Sequence, residues 1–174
     1  MKQLIYIYFP LVILLGCSSQ DSLQKYMAKN SENPNFLAID LSSNILNIDS
    51  EKLSEDEKEM FNSIKKLNVL LFRKRDNNEI YNKEKEELQN IINKNSEYEK
   101  LIQANTKGKK ITFYSLGSQD TVDEIVLLAS DDDIGFAVIR LLGKKINPEN
   151  MMNFMSIIEK ADIGDELNLF FDSM

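Results

Sequence analysis

Two hydrophobic periods alternate along this 174-residue chain, and the switches between them mark its elements. Leu23 to Lys29 predicts a short helix, and Asn30-Ser31-Glu32-Asn33-Pro34 has the turn chemistry of a loop. Phe36 to Leu41 predicts a first strand. Ser54 followed by Glu57 is a capping-box signature, with Glu55, Asp56 and Glu57 in the first turn where the helix dipole favours them. Leu53, Met60, Phe61 and Ile64 then recur at helical spacing. Leu67 to Phe72 predicts a second strand, and a helix over about Glu79 to Asn93 repeats Ile80, Tyr81, Glu84, Leu88, Ile91 and Ile92 on one face. Ser96 caps another expected short helix carrying Tyr98, Leu101 and Ile102, closed by Thr106-Lys107-Gly108.

Three strands are expected in quick succession, over Lys110–Leu116, Glu124–Ser130 and Phe136–Leu142. Their spacing favours a β-meander. Asn147 is an N-cap with Pro148 at the first helical position, ahead of a helix carrying Met151, Met152, Phe154, Met155 and Ile158. The order predicts an α+β domain with a largely antiparallel sheet of about five strands and helices mostly on one face. In the last strands apolar residues fall on both sides, Ile125 and Leu127 opposite Val126 and Leu128. One wet face would give strict alternation. The second face is therefore covered by the C-terminal tail or a helix, or it is a partner surface.

The first seventeen residues give an address. Lys2 is followed by an apolar run from Leu4 to Leu15, broken only by Pro10, too short to cross a bilayer but matched to a secretory signal. It ends in Leu14-Leu15-Gly16-Cys17, which resembles a bacterial lipobox. Cys17 is the only cysteine and sits where acylation requires it. The expected organisation is a lipoprotein signal peptide over 1–16, an acylated N-terminus and tether over 17–33, a single domain over 34–160, and a tail over 161–174 that docks on the sheet. Ser18 after the cysteine favours the outer membrane.

Composition narrows the chemistry. Histidine and tryptophan are absent, and 21 Lys+Arg face 28 Asp+Glu for a net charge of −7. No His-based triad, His-ligated zinc or disulfide is available, and an acidic chain without a basic stripe is a poor nucleic-acid binder. Asp131-Asp132-Asp133 is the densest acid cluster, but the sixth and twelfth residues counted from Asp131 are Phe136 and Leu142, so a helix-loop-helix calcium loop is excluded. A hairpin turn accounts for the triplet, with weak cation binding as its alternative. Ser63 and Lys66 have the spacing of a Ser–Lys dyad, although Lys66 is expected at a helix C-terminus for structural reasons. Met151, Met152 and Met155 read first as core and second as a partner groove.

The lipobox, Ser63 to Leu70, Leu116-Gly117 through Asp123-Glu124, Ser130-Asp131-Asp132, Gly135-Phe136-Ala137 and Asn147-Pro148-Glu149 together resemble a family of bacterial envelope lipoproteins, domain of unknown function 4252. The similarity spans about residue 23 to residue 159. It implies a Gram-negative lipoprotein without assigned catalytic residues. The expectation is a non-enzymatic envelope lipoprotein, tethered through its lipid and engaging an unidentified protein partner, with no cofactor and no metal. Its alternatives are an accessory regulator or sensor in envelope signalling, and a hydrolase using carboxylates or Ser63–Lys66.

Overall fold

The computed structural model describes residues 22–42, 48–75, 77–106, 108–117 and 122–160. Cys17 and the tail over 161–174 lie outside these residues. Six strands form one sheet: β1 (Phe36–Ser42), β2 (Ile64–Arg73), β3 (Tyr98–Thr106), β4 (Lys109–Gly117), β5 (Val122–Asp131) and β6 (Gly135–Ile146). Their spatial order is β1-β2-β6-β5-β4-β3, every neighbouring pair antiparallel. The expected three-strand meander is thus half of the sheet, extended by β3 at one edge and joined through β6 to β2. The hairpin between Asp131 and Gly135 lies at what is called here the bottom, and the start of β2 and the end of β6 at the top.

The sheet has six strands rather than five because Tyr98–Thr106 is the edge strand β3, not a helix. A bulge between Lys100 and Ile102 interrupts its pairing with β4. Such an extra residue shifts the side-chain alternation. Leu101 and Ile102 consequently serve the same side of the sheet, imitating a helical i, i+3, i+4 pattern with Tyr98.

Helices lie on both faces, not mostly on one. They are α1 (Leu23–Asn30), α2 (Glu55–Ser63), α3 (Asn78–Lys94) and α4 (Met151–Lys160). One face collects Leu67, Val69, Ile125, Leu127, Ile139 and Leu141 against Met60 of α2 and Phe154 and Ile157 of α4. The opposite face collects Leu70, Phe72, Val126, Phe136 and Val138 against Leu23 and Tyr26 of α1 and Tyr81, Leu88, Ile91 and Ile92 of α3. Helices on each side explain why β5 and β6 are apolar in both registers. α1 therefore belongs to the packed core although it falls within the stretch read as tether.

Local chemistry sets the ends of these elements. Ser54 and Glu57 form both bonds of the capping box that opens α2. Ser22 and Asn77 cap α1 and α3, accepting from the Lys25 and Ile80 amides. Asn147 accepts from the Glu149 amide and opens a 3-10 turn over Pro148–Asn150, from which α4 continues. At the bottom, Phe72 and Phe136 stack with centroids 5.2 Å apart, and Phe36 meets Phe72 edge-on at 5.1 Å. Gly135 is required there: at φ +143° its backbone passes so close to β2 that a Cβ would sit 2.0 Å from the Phe72 carbonyl oxygen.

Candidate functional site

The lower half of the α1/α3 face is aromatic and aliphatic, whereas its upper half is a polar ladder. Pairing registers place Asp40, Asn68 and Arg140 side by side on β1, β2 and β6, with Lys66, Glu124 and Tyr98 one step nearer the top. Arg140 Nη2 donates to Glu124 Oε2 at 2.6 Å, and the Tyr98 hydroxyl donates to Glu124 Oε1 at 2.7 Å. The Arg140 and Glu124 side chains are only 14% and 6% exposed. Burial opposes the charge on Arg140, but Glu124 more than offsets it and holds the guanidinium above its usual pKa. Burial, then the bond to Glu124, pushes the Tyr98 phenol up as well. Asn68 Nδ2 donates to Asp40, and Lys66 Nζ lies 4.0 Å from the same carboxylate.

Helix α1 rises beside this ladder and leaves a cleft of about 340 Å³. Gln24, Met27 and Ser31 form its wall, and Lys66, Asn68 and Arg140 its floor. Two contacts between helices fix the wall. The Tyr26 hydroxyl donates to Glu84 at 3.0 Å, and Lys29 Nζ donates to Glu87 at 3.0 Å, both across to α3. The cleft thus offers a mixed polar and apolar lining on a rigid sheet, suited to holding a ligand surface in one orientation.

The residues singled out for chemistry are not assembled into a reactive group. Ser63 Oγ donates to the Met60 carbonyl at 2.7 Å, while Lys66 faces Asp40. Lys66 stands inside β2, not at a helix C-terminus, because α2 ends at Ser63 and the chain turns directly into the strand. In the acid triplet, Asp131 Oδ1 accepts from the Asp133 and Ile134 amides at 2.8 and 3.1 Å, the geometry of an Asx turn. Its other oxygen lies 3.6 Å from Lys109. Asp132 accepts from Lys85 at 3.0 Å and from the Tyr81 hydroxyl at 3.3 Å, and Lys85 holds its pKa below the usual carboxylate range. Among the described residues, no group of three or more acidic or sulfur side chains converges on a metal position. Met151, Met152 and Met155 fall on α4, where Phe154 and Ile157 are the residues seen buried in the core.

Glu57 does more than cap α2. Its carboxylate accepts from Lys160 Nζ at 2.6 and 2.8 Å and from Ser156 Oγ, so α4 is latched across the N-terminus of α2. Lys160, Ser156 and the Ser54 amide together lower its pKa to about 2. The ladder itself had a signal in the sequence. Asn68 and Arg140 each interrupt an apolar run, Leu67–Phe72 and Phe136–Leu142, and a lone polar residue within a run buried on both faces needs a partner.

A family profile for a domain of unknown function, DUF4252, matches residues 26–161, well over half of the chain. No curated protein and no solved structure matches it. The matched span runs from within α1 to just past the end of α4, so it takes in the sheet, both helical layers and the ladder. The chain belongs to the DUF4252 family.

Proposed function

We propose that this chain is a non-enzymatic, lipid-anchored domain of the bacterial cell envelope, held at the outer membrane, that binds a protein partner through the cleft between α1 and the polar ladder. The position of the cleft carries this reading. Its wall, α1, begins at Leu23, so only residues 18–22 separate it from Cys17. Five extended residues reach about 18 Å, which keeps the cleft close to the bilayer surface. The lining mixes Met27 and Leu142 with Gln24, Ser31 and Asn68, in keeping with a polar–apolar protein surface. The commitment of Ser63, Asp131 and Asp132 to structural bonds supports binding over catalysis.

Two measurements test it. The mature N-terminus should carry acyl chains on Cys17 by mass spectrometry, and Cys17→Ala should abolish them. A photocrosslinker at Gln24 in growing cells should give a discrete protein adduct that a crosslinker at Asp133, at the bottom of the sheet, does not. An unmodified Cys17, or identical adducts from both positions, would refute the reading.

A further inference from the structure

The bottom row of the α1/α3 face changes character half-way across the sheet. Over β1, β2 and β6 it is Phe36, Phe72 and Phe136, and over β5, β4 and β3 it continues as Ser130, Lys110 and Asn105. Tyr81 of α3 packs on the aromatic half. Over the polar half lies a recess of about 320 Å³. Lys85, one turn further along α3, lines it from the helix side, and Gly108 and Lys109 line it from the β3–β4 turn.

This recess is cationic in an acidic chain. Lys85, Lys109 and Lys110 face Asp132 as the one acid among its described lining residues, a surplus of two positive charges, whereas the chain as a whole carries −7. Asp132 is already engaged, its Oδ1 accepting from Lys85 at 3.0 Å and from the Tyr81 hydroxyl at 3.3 Å. Asp131, in the adjoining hairpin, holds the turn amides with one oxygen and lies 3.6 Å from Lys109 with the other. Each acid thus has its lysine, and Lys110 is the surplus cation, without an ion pair among the described residues. Beside it Ser130 is only 4% exposed, and its hydroxyl has no hydrogen-bond partner among the described residues. A buried hydroxyl on the wall of a recess is ordinarily completed by what the recess holds.

We propose that this recess binds a phosphate group, held by Lys110, Lys109 and the Ser130 hydroxyl. Ammonium groups act toward phosphate as point charges, whereas planar carboxylates favour the fork of an arginine, and no arginine is among the described lining residues. The charge surplus matches the one to two negative charges of a phosphate ester near neutral pH. The location admits two sources. Tyr26 meets Glu84 and Lys29 meets Glu87, so α1 runs alongside α3 in the same direction and begins at the bottom. The recess therefore opens at the end where the chain enters the fold, within reach of a lipid headgroup beside the proposed anchor as well as of phosphate in solution.

Calorimetric titration of the full chain in a non-ionic detergent separates these sources with two probes, inorganic phosphate and glycerophosphoglycerol, a deacylated lipid headgroup. Saturable binding of at least one is expected. Lys110→Gln should weaken it at least about tenfold, the loss of one charge-assisted hydrogen bond. Asp132→Asn should tighten it, because the opposing carboxylate is gone. Lys144→Gln, the same change of charge at the exposed top of β6, should leave it unchanged, with native circular dichroism in all three variants. Preference for inorganic phosphate assigns the recess to a free anion, and preference for the diester assigns it to a headgroup. No saturable binding of either probe would overturn the inference. Equal weakening by Lys110→Gln and Lys144→Gln would overturn it too, since only the overall charge would then matter.

Discussion

Arg140→Met tests whether the polar ladder is held together by its central ion pair. The arginine and Glu124 are 2.6 Å apart with side chains 14% and 6% exposed, and after the substitution Glu124 keeps the Tyr98 hydroxyl as its described side-chain donor. Removing one partner of a buried pair costs about 3–5 kcal/mol, because the other charge stays behind uncompensated. The slight opening of Arg140 toward the cleft places the expected loss near the lower bound, about 3 kcal/mol. For a domain of this size that corresponds to a fall in melting temperature of about 6–12 °C. Urea titration of the wild-type chain, Arg140→Met, Glu124→Leu and the double variant measures it. The double variant should recover most of the loss, since two apolar side chains replace a desolvated pair at little net cost. A single-variant loss below about 1 kcal/mol with no coupling would show the pair to be solvated, and the ladder to be surface rather than interior.

Three further outcomes follow from the same packing. Gly135→Ala should cost more than about 3 kcal/mol by thermal melting, because a left-handed φ and a Cβ 2.0 Å from the Phe72 carbonyl oppose any side chain there. Glu57 titrates near 2 in the folded chain against 4.5 ordinarily, so its stabilisation is complete above about pH 4.5 and is lost as pH falls toward 2. The stability gap between wild type and Glu57→Gln should therefore close over that window, and a constant gap would refute the latch. A chelator should leave the melting temperature unchanged, since Asp131 and Asp132 are occupied by turn amides, Lys109 and Lys85; a large drop would reopen cation binding at the hairpin.

Where local chemistry and tertiary demand agree, this sequence is readable. The Ser54–Glu57 box, the Asn147-Pro148 entry and the long periodic helix of Ile80 to Ile92 each form where their pattern predicts. The double-sided apolar strands β5 and β6 announce a two-face cover, and α1 with α3 provides it on one side. The failures have equally local causes. The bulge at Leu101 gives an edge strand the spacing of a helix. The distribution of helices between faces depends on crossover paths, such as α3 carrying the chain from the bottom of β2 to the top of β3, and no residue encodes these alone. Asn68 and Arg140 signalled a need for partners, but which partners they meet was hidden, because Asp40 and Glu124 are far from them in sequence and reach them only through register.

The bonding of α1 has a mechanical consequence. In a chain held at its N-terminus, any tension between domain and membrane enters at Leu23. α1 resists it with two buried apolar side chains, Leu23 and Tyr26, with the buried Asn30, and with the cross-links Tyr26–Glu84 and Lys29–Glu87. The next element, β1, resists it with a ladder of seven residue pairs to β2. The weaker joint comes first along the load path, so α1 peels away while the sheet stays intact. Since α1 is also the wall of the cleft, its displacement by a pull on the proposed anchor would widen the cleft and uncover Asn68 and Arg140. Under the anchoring and binding proposed above, the domain would behave as a force-weakened grip, releasing what it holds when its tether is drawn tight.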